Sequence, residues 1–210
     1  MKSALNSARF AQNPTMAKLR WLFATNNKHK LEEAREILAP FAEICSLEEV
    51  GIDVEVEENG LTFLENARIK AEAYSKLSGL PCFADDSGLC VDILNGAPGI
   101  YSARYAGDPC HHGNNNAKLL AELNGSENRS AHFHCSIATV GLAPENPHFE
   151  GKVFGRIGLE LSGEKGFGYD PLFIPESYTE TFAQLGPEIK NRWSHRALAL
   201  QQMAEYLVRS

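Results

Sequence analysis

Between residues 81 and 92 the chain reads PCFADDSGLCVD, and this segment constrains the fold more than any other. Apolar residues on both sides ask to be buried, yet Asp85 and Asp86 stand side by side between them. Adjacent carboxylates at the end of a buried strand lose hydration and repel each other, so a fold that keeps them there must offset the cost with cations or a metal. The plainer reading is a turn joining two strand segments, LPCFAD and LCVDIL, because Asp and Gly favour turns. The functional reading is a ligand site, because ligands bind at the strand ends of α/β sheets.

The surrounding pattern says what kind of sheet this is. RWLFAT (20–25) is a short apolar run of strand type, and NNKHKLEEAREILAPF carries Leu31, Ala34, Ile37 and Leu38 at helical spacing up to Pro40. EICSL is a candidate second strand. LTFLENARIKAEAYSKLSG predicts a helix with Thr62 as N-cap, Glu65 three residues on and Gly79 after its end. NNNAKLLAELNG is a short helix stopped by Gly125. SAHFHCSIATVGLA and HFEGKVFGRIGLEL alternate partially, as paired strands do. The chain closes with SHRALALQQMAEYLVR, a helix with Ser194 as N-cap. Helices alternating with strands, followed by a β-rich block, predict an α/β protein with a mixed central sheet flanked by helices, in two lobes around a cleft. One domain is expected over 19–210. Residues 1–18 read as a disordered N-terminal extension with no apolar core of a secretory signal, and Met16 is an alternative start.

Charge narrows the function classes. Twenty basic against 27 acidic residues give a net charge of −7, which argues against broad binding to nucleic acid. No apolar run reaches the length of a membrane span. Cys45, Cys82, Cys90, Cys110 and Cys135 show neither a CxxC pair nor zinc spacing, so they read as reduced, packed thiols of a cytoplasmic protein. His132 and His134 alternate in a strand and share a face, which suits a structural role better than metal ligation.

Four stretches can carry chemistry. In ATNNKHK a strand leads through Thr25, Asn26 and Asn27 into a helix, whose free N–H groups and dipole attract anions, and Lys28 and Lys30 add charge. This is not the Gly-rich Walker pattern, and a capped helix with solvated lysines explains it as well. Glu57, Glu58, Glu65, Asp85 and Asp86 form an acidic set of the hard oxygen ligands that suit Mg²⁺, while Glu65 alone also reads as a capping-box partner. In GEKGFGYDP the glycines permit close backbone approach, Phe167 and Tyr169 offer stacking faces, and Asp170 offers an acceptor; a turn with aromatics plugged into the core is the alternative. In KNRWSHR, His195 and Arg196 occupy a first helical turn, where acids are usual, and Lys190 lies five residues earlier. Exposed basic residues at a helix end would look the same.

Taken in order, ATNNKHKLEE, GLTFLENARIKA, ADDSGLCVDILNGAPGIYSARYAG, GFGYDPLF and SHRALAL resemble the HAM1/RdgB family of inosine triphosphate pyrophosphatases, over roughly residues 20–207. The resemblance implies a cleft between two lobes, a homodimer, and Mg²⁺-dependent hydrolysis of inosine, deoxyinosine and xanthosine triphosphates to the monophosphate and pyrophosphate. It implies that Thr25, Asn26, Asn27, Lys28, His29 and Lys30 form the triphosphate turn. Asp86 would be proton acceptor and metal ligand, with Glu57 as the second metal carboxylate and Glu58 one position away as its alternative. Ser87, Phe167, Gly168, Tyr169, Asp170, Lys190, His195 and Arg196 would bind the nucleotide, the last two donating to the carbonyl at C6 of the base. Asn26 departs from a family turn that commonly reads T-G-N; if the position needs positive φ, Asn is the side chain best able to take it. Two rivals stand beside this: a pyrophosphatase for other modified nucleotides, as in the Maf-like proteins, and a catalytically silent purine triphosphate sensor.

Overall fold

The computed structural model describes residues 19–209. The N-terminal extension expected at 1–18 lies outside the described residues. The elements, in chain order, are β1 (Leu19–Phe23), α1 (Lys28–Leu38), β2 (Ala42–Cys45), α2 (Phe63–Ser78), β3 (Cys82–Val91), α3 (His112–Glu122), β4 (Ser130–Val140), β5 (His148–Ile157), β6 (Phe173–Pro175), α4 (Phe182–Leu185), α5 (Pro187–Trp193) and α6 (His195–Arg209). Between β3 and α3 lie two 3₁₀ turns, Asp92–Leu94 and Gly99–Arg104. The strands form one mixed sheet in the order β2-β1-β3-β4-β5-β6. β1 runs parallel to β2 and β3, and the remaining pairs are antiparallel.

Local rules explain the best-defined helix. Thr62 Oγ1 accepts from Glu65 N, Glu65 Oε2 accepts from Thr62 N, and Gly79 closes α2 in the left-handed region. Glu65 is thereby accounted for as a cap. Asn27 caps α1 by accepting from His29 N and Lys30 N. Ser194 caps α6, its hydroxyl accepting from Ala197 N.

One expectation fails. The Asp pair is not in a turn between two strand segments: β3 is a continuous ten-residue strand, paired with β4 along its whole length, with Asp85 opposite Ile137 and Asp86 opposite Ser136. Its other edge pairs with β1 only at Cys82 and Phe83. From Ala84 that edge has no strand partner until the chain around Pro98 covers it at Cys90, and the carboxylates follow at the opening.

Strand alternation sorts the core. Phe83 joins Trp21, Phe23, Leu38, Ile137, Leu200 and Met203 under α1 and α6. Cys82 and Ala84 join Leu22, Ala67, Ala71 and Tyr74 under α2 on the opposite face. Farther along, Leu89 and Val91 belong to a third cluster with Phe133, Leu119, Phe173 and Phe182. β3 and β4 therefore run from one lobe into the other, and Asp85, Asp86 and Ser87 fall where the core changes hands.

Candidate active site

Because side chains alternate along a strand, the two aspartates leave β3 on opposite faces and meet different neighbours. Asp85, on the α1/α6 face, is buried; its Oδ1 accepts from Lys30 Nζ at 3.0 Å and its Oδ2 from Arg196 Nε at 2.9 Å. Arg196 also donates through Nη1 to Glu33 Oε2 at 2.8 Å and through Nη2 to Ser87 Oγ at 3.1 Å. Burial pushes the Asp85 carboxyl up, but the charges of Lys30, Arg196 and Lys70 outweigh it and hold the group well below the usual carboxylate range. Asp85 is an ion-paired anchor, ionised at neutral pH.

Asp86, on the α2 face, lines a cavity of about 520 Å³. Its Oδ2 accepts from Asn66 Nδ2 at 3.1 Å and its Oδ1 from Ser87 N at 2.9 Å. Burial, reinforced by the charge of Glu58, raises its pKa against the opposing pull of Lys70 and Lys30. Lys70, largely buried, donates to Glu58 Oε2 at 2.7 Å. Its pKa is raised although burial opposes this, because Asp86 and Glu58 face it. Two neighbouring carboxyls whose environments push their pKa values apart are the signature of divided roles, one structural and one poised to move a proton.

The rest of the cavity joins the two ends of the sequence pattern. Thr25, Asn26, Asn27 and Lys30 line it from the start of α1, and Phe167, Gly168, Tyr169, Asp170, Lys190, His195, Arg196 and Ser87 from the other side. Thr25 Oγ1 accepts from Asn27 N at 3.2 Å, which shapes the turn. Asn26 is absent from the non-glycine residues with positive φ, so replacing the family glycine strains nothing here.

Several expected residues stand differently from the sequence reading. Glu57 is exposed and does not line the cavity, whereas Glu55 and Glu58 do, and of these Glu58 is the one paired with Lys70 beside Asp86. Lys28 is exposed and does not line it either. His29 also lies outside the lining, stacked on Phe167 at 5.6 Å between centroids. Tyr169 is a core residue rather than a stacking face, its hydroxyl donating to Ser102 O at 2.9 Å. Asp170 spends Oδ2 on Phe167 N at 2.8 Å and Lys190 Nζ at 2.5 Å. His195 and Arg196 are buried rather than exposed at a helix end. His195 stacks on Phe133 at 4.8 Å, and its buried Nδ1 has no hydrogen-bond partner among the described residues. Burial, with the charges of Arg196 and Lys190, drives the His195 pKa well below its ordinary value, so the ring is neutral.

Lys70, Asn66 and Glu33 escaped the sequence reading. On α2, Asn66 and Lys70 are four apart and interrupt the stripe Phe63, Ala67, Ala71, Tyr74 that the helix buries. A polar pair inside an apolar stripe was the available signal.

Among the described residues no group of three or more His, Cys, Asp or Glu is arranged to hold a metal ion. Glu58 and Asp86 nevertheless suit Mg²⁺, which typically takes one or two carboxylates and completes its shell with water and substrate phosphates. The raised pKa of Asp86 is the stress that a cation would relieve.

A family model described as the Ham1 family matches residues 21–206. The chain belongs to the Ham1 family. It is 48% identical over 188 residues to a dITP/XTP pyrophosphatase of Porphyromonas gingivalis, covering 89% of this chain and 96% of that protein. Among solved structures it is similar to the Ham1 protein of Staphylococcus aureus, with TM-score 0.83 and 41% identity over 90% of this chain and 97% of that one. A HAM1 protein from Coxiella burnetii superposes with TM-score 0.85 at 39% identity, covering 91% of this chain and 100% of the other. The mixed sheet and the cleft at its centre are thus the architecture of this Ham1 chain.

Proposed function

We propose that this chain hydrolyses non-standard purine nucleoside triphosphates, those of inosine, deoxyinosine and xanthosine, to the monophosphate and pyrophosphate. The observation that carries the reading is the split aspartate pair: one carboxyl locked in ion pairs, its neighbour on the cavity with a raised pKa. The activity named for the Porphyromonas gingivalis relative supports it.

The triphosphate lies along the start of α1, where the positive end of the helix dipole and the ammonium groups of Lys30 and Lys70 oppose its charge. Asp86 accepts a proton from the attacking water at its carboxylate, a role suited to an acid whose pKa is raised. The water oxygen adds to the α-phosphorus, the bond to the bridging oxygen breaks, and pyrophosphate leaves with the electron pair. Asp86 and Glu58 would hold Mg²⁺, which would supply screening of the phosphate charge and Lewis acidity at this end of the cavity. Asp85 holds Lys30 and Arg196 in place and exchanges no proton.

Phe167 carries the purine ring at the other end. His195 supplies base choice: neutral, with its Nδ1 unpartnered, it donates from the Nδ1–H tautomer to the C6 carbonyl of hypoxanthine or xanthine. Adenine presents an amino donor there and leaves that N–H unpaired, which disfavours it. A homodimer in the cytoplasm completes the proposal; exposed Leu61 and Tyr101 on an open groove that meets the cavity at Ile100 support the dimer.

The test is product analysis with Mg²⁺ and a panel of inosine, xanthosine, adenosine and guanosine triphosphates. Pyrophosphate and monophosphate from the first two, at rates well above adenosine triphosphate, are expected. Equal rates across the panel, release of orthophosphate, or binding with no hydrolysis refutes the reading.

A further inference from the structure

Phe167, the ring assigned to the purine, is already occupied. The His29 imidazole stacks on it, 5.6 Å between centroids and 11° between planes, and the Lys190 ammonium stands 4.0 Å from its centroid. The His112 ring is a more distant neighbour, tilted by 43° at 6.5 Å, and the two close covers are held very differently. Lys190 is buried and fixed by Asp170 Oδ2 at 2.5 Å. The His29 side chain is 70% exposed, and its Nδ1 lies 3.9 Å from Glu32 Oε2. Of the two, His29 is the cover that can leave at little cost. Its backbone is fixed, since His29 N donates to the Asn27 cap at 3.0 Å. The stack therefore spans the cleft, from the turn at the phosphate end to the loop at the base end. A nucleotide filling both ends has to break it, while a ligand filling only the phosphate end does not.

We propose that His29 is a stand-in for the purine: its imidazole stacks on Phe167 at the edge of the cavity, and the base of an incoming nucleotide takes its place. This rests on the proposed function, in which Phe167 carries the base. The exchange makes His29 a specificity residue. A purine recovers the lost stacking in full, whereas a smaller pyrimidine recovers less, so His29 discriminates against weakly stacking bases by competing with them.

Removing the competitor strengthens nucleotide binding, the opposite of what removing a substrate contact does. For His29→Ala, KM for inosine triphosphate is expected to fall about two- to twelve-fold, the range of a single aromatic pair, with kcat/KM rising by the same factor. The inhibition constant of inorganic pyrophosphate stays as in the wild type, and the preference for inosine over cytidine triphosphate narrows. His29→Phe, a stronger stacking partner, raises KM. An unchanged or raised KM in His29→Ala, or a weakened pyrophosphate affinity, overturns the proposal. A readout free of turnover is the proton resonance of the His29 ring, assigned by its loss in His29→Ala. Inosine monophosphate is expected to move it out of the Phe167 ring current, and pyrophosphate to leave it in place. A resonance unmoved while calorimetry shows the monophosphate bound overturns the stand-in alone; no monophosphate binding and no hydrolysis overturns the proposed function and the stand-in with it.

Discussion

Replacing Asp85 with Asn tests how the site is held together. In the wild type Asp85 is 1% exposed and accepts from Lys30 Nζ at 3.0 Å and Arg196 Nε at 2.9 Å. An amide removes the negative charge and turns an N–H₂ group toward one of the two cations. Arg196, itself 1% exposed, then keeps Glu33 as its remaining ion-pair partner, and Lys30 keeps none that the wild type shows. Breaking a buried ion pair from one side costs about 3–5 kcal/mol, because the opposite charge stays buried and uncompensated. At roughly 2–4 °C per kcal/mol for a chain of this size, the melting temperature falls by about 6–20 °C. The loss depends on pH with a defined sign. The folded pKa of Asp85 is depressed, so its contribution is complete above the unfolded-chain value near ~3.9 and is lost as pH falls through the folded pKa. Urea unfolding of both proteins at neutral pH and in mild acid measures this. The variant is expected to be less stable by the full amount at neutral pH, with the gap closing below about pH 4. A loss under about 1 kcal/mol at neutral pH, the size of an exposed pair, refutes the anchor role.

Lys70 opposes the raised pKa of Asp86, so in Lys70→Met the acid limb of the pH–rate profile moves to higher pH and kcat falls by about 10²-fold, as for loss of one preorganised charge; an acid limb that stays put or moves down contradicts the pairing. The thiols should separate in a titration with an aromatic disulfide: Cys110 is exposed and reacts first, Cys90 is slower with its pKa raised by burial, and buried Cys82, pushed up to about 12, does not react while the chain is folded. Rapid labelling of Cys82 or Cys135 under native conditions contradicts the packing described.

Much of this was legible in the sequence because short-range rules governed it. The capping box at Thr62 and Glu65, the Gly79 stop and the Ser194 cap are patterns of four residues or fewer that local hydrogen bonding decides. The Ham1 family motifs marked the phosphate turn, the aspartate pair and the Phe167 loop. What stayed hidden was set by tertiary contacts. Asp-Asp-Ser-Gly reads as a turn because none of these residues favours a strand, yet pairing of β3 with β4 along its length overrides propensity. Gly88 belongs to that strand because a side chain there would collide with Gly99 O and Ser102 Oγ. Nothing local tells Glu57 from Glu58, since the choice depends on where Lys70 of α2 arrives. Arg196 looked like an exposed donor because the Asp85 and Glu33 that bury it lie 111 and 163 residues away.

The most direct measurement is inosine triphosphate turnover by Asp86→Asn in the presence of Mg²⁺, made beside its thermal unfolding. Asp86 carries a raised pKa, so its ionised form costs the folded state stability above that pKa, a cost relieved as pH falls toward the unfolded value. Removing the charge should leave the melting temperature at neutral pH equal to the wild type or above it, while pyrophosphate release drops by orders of magnitude. Near-normal turnover in a folded Asp86→Asn protein would contradict the assignment of proton transfer and metal binding to this carboxylate.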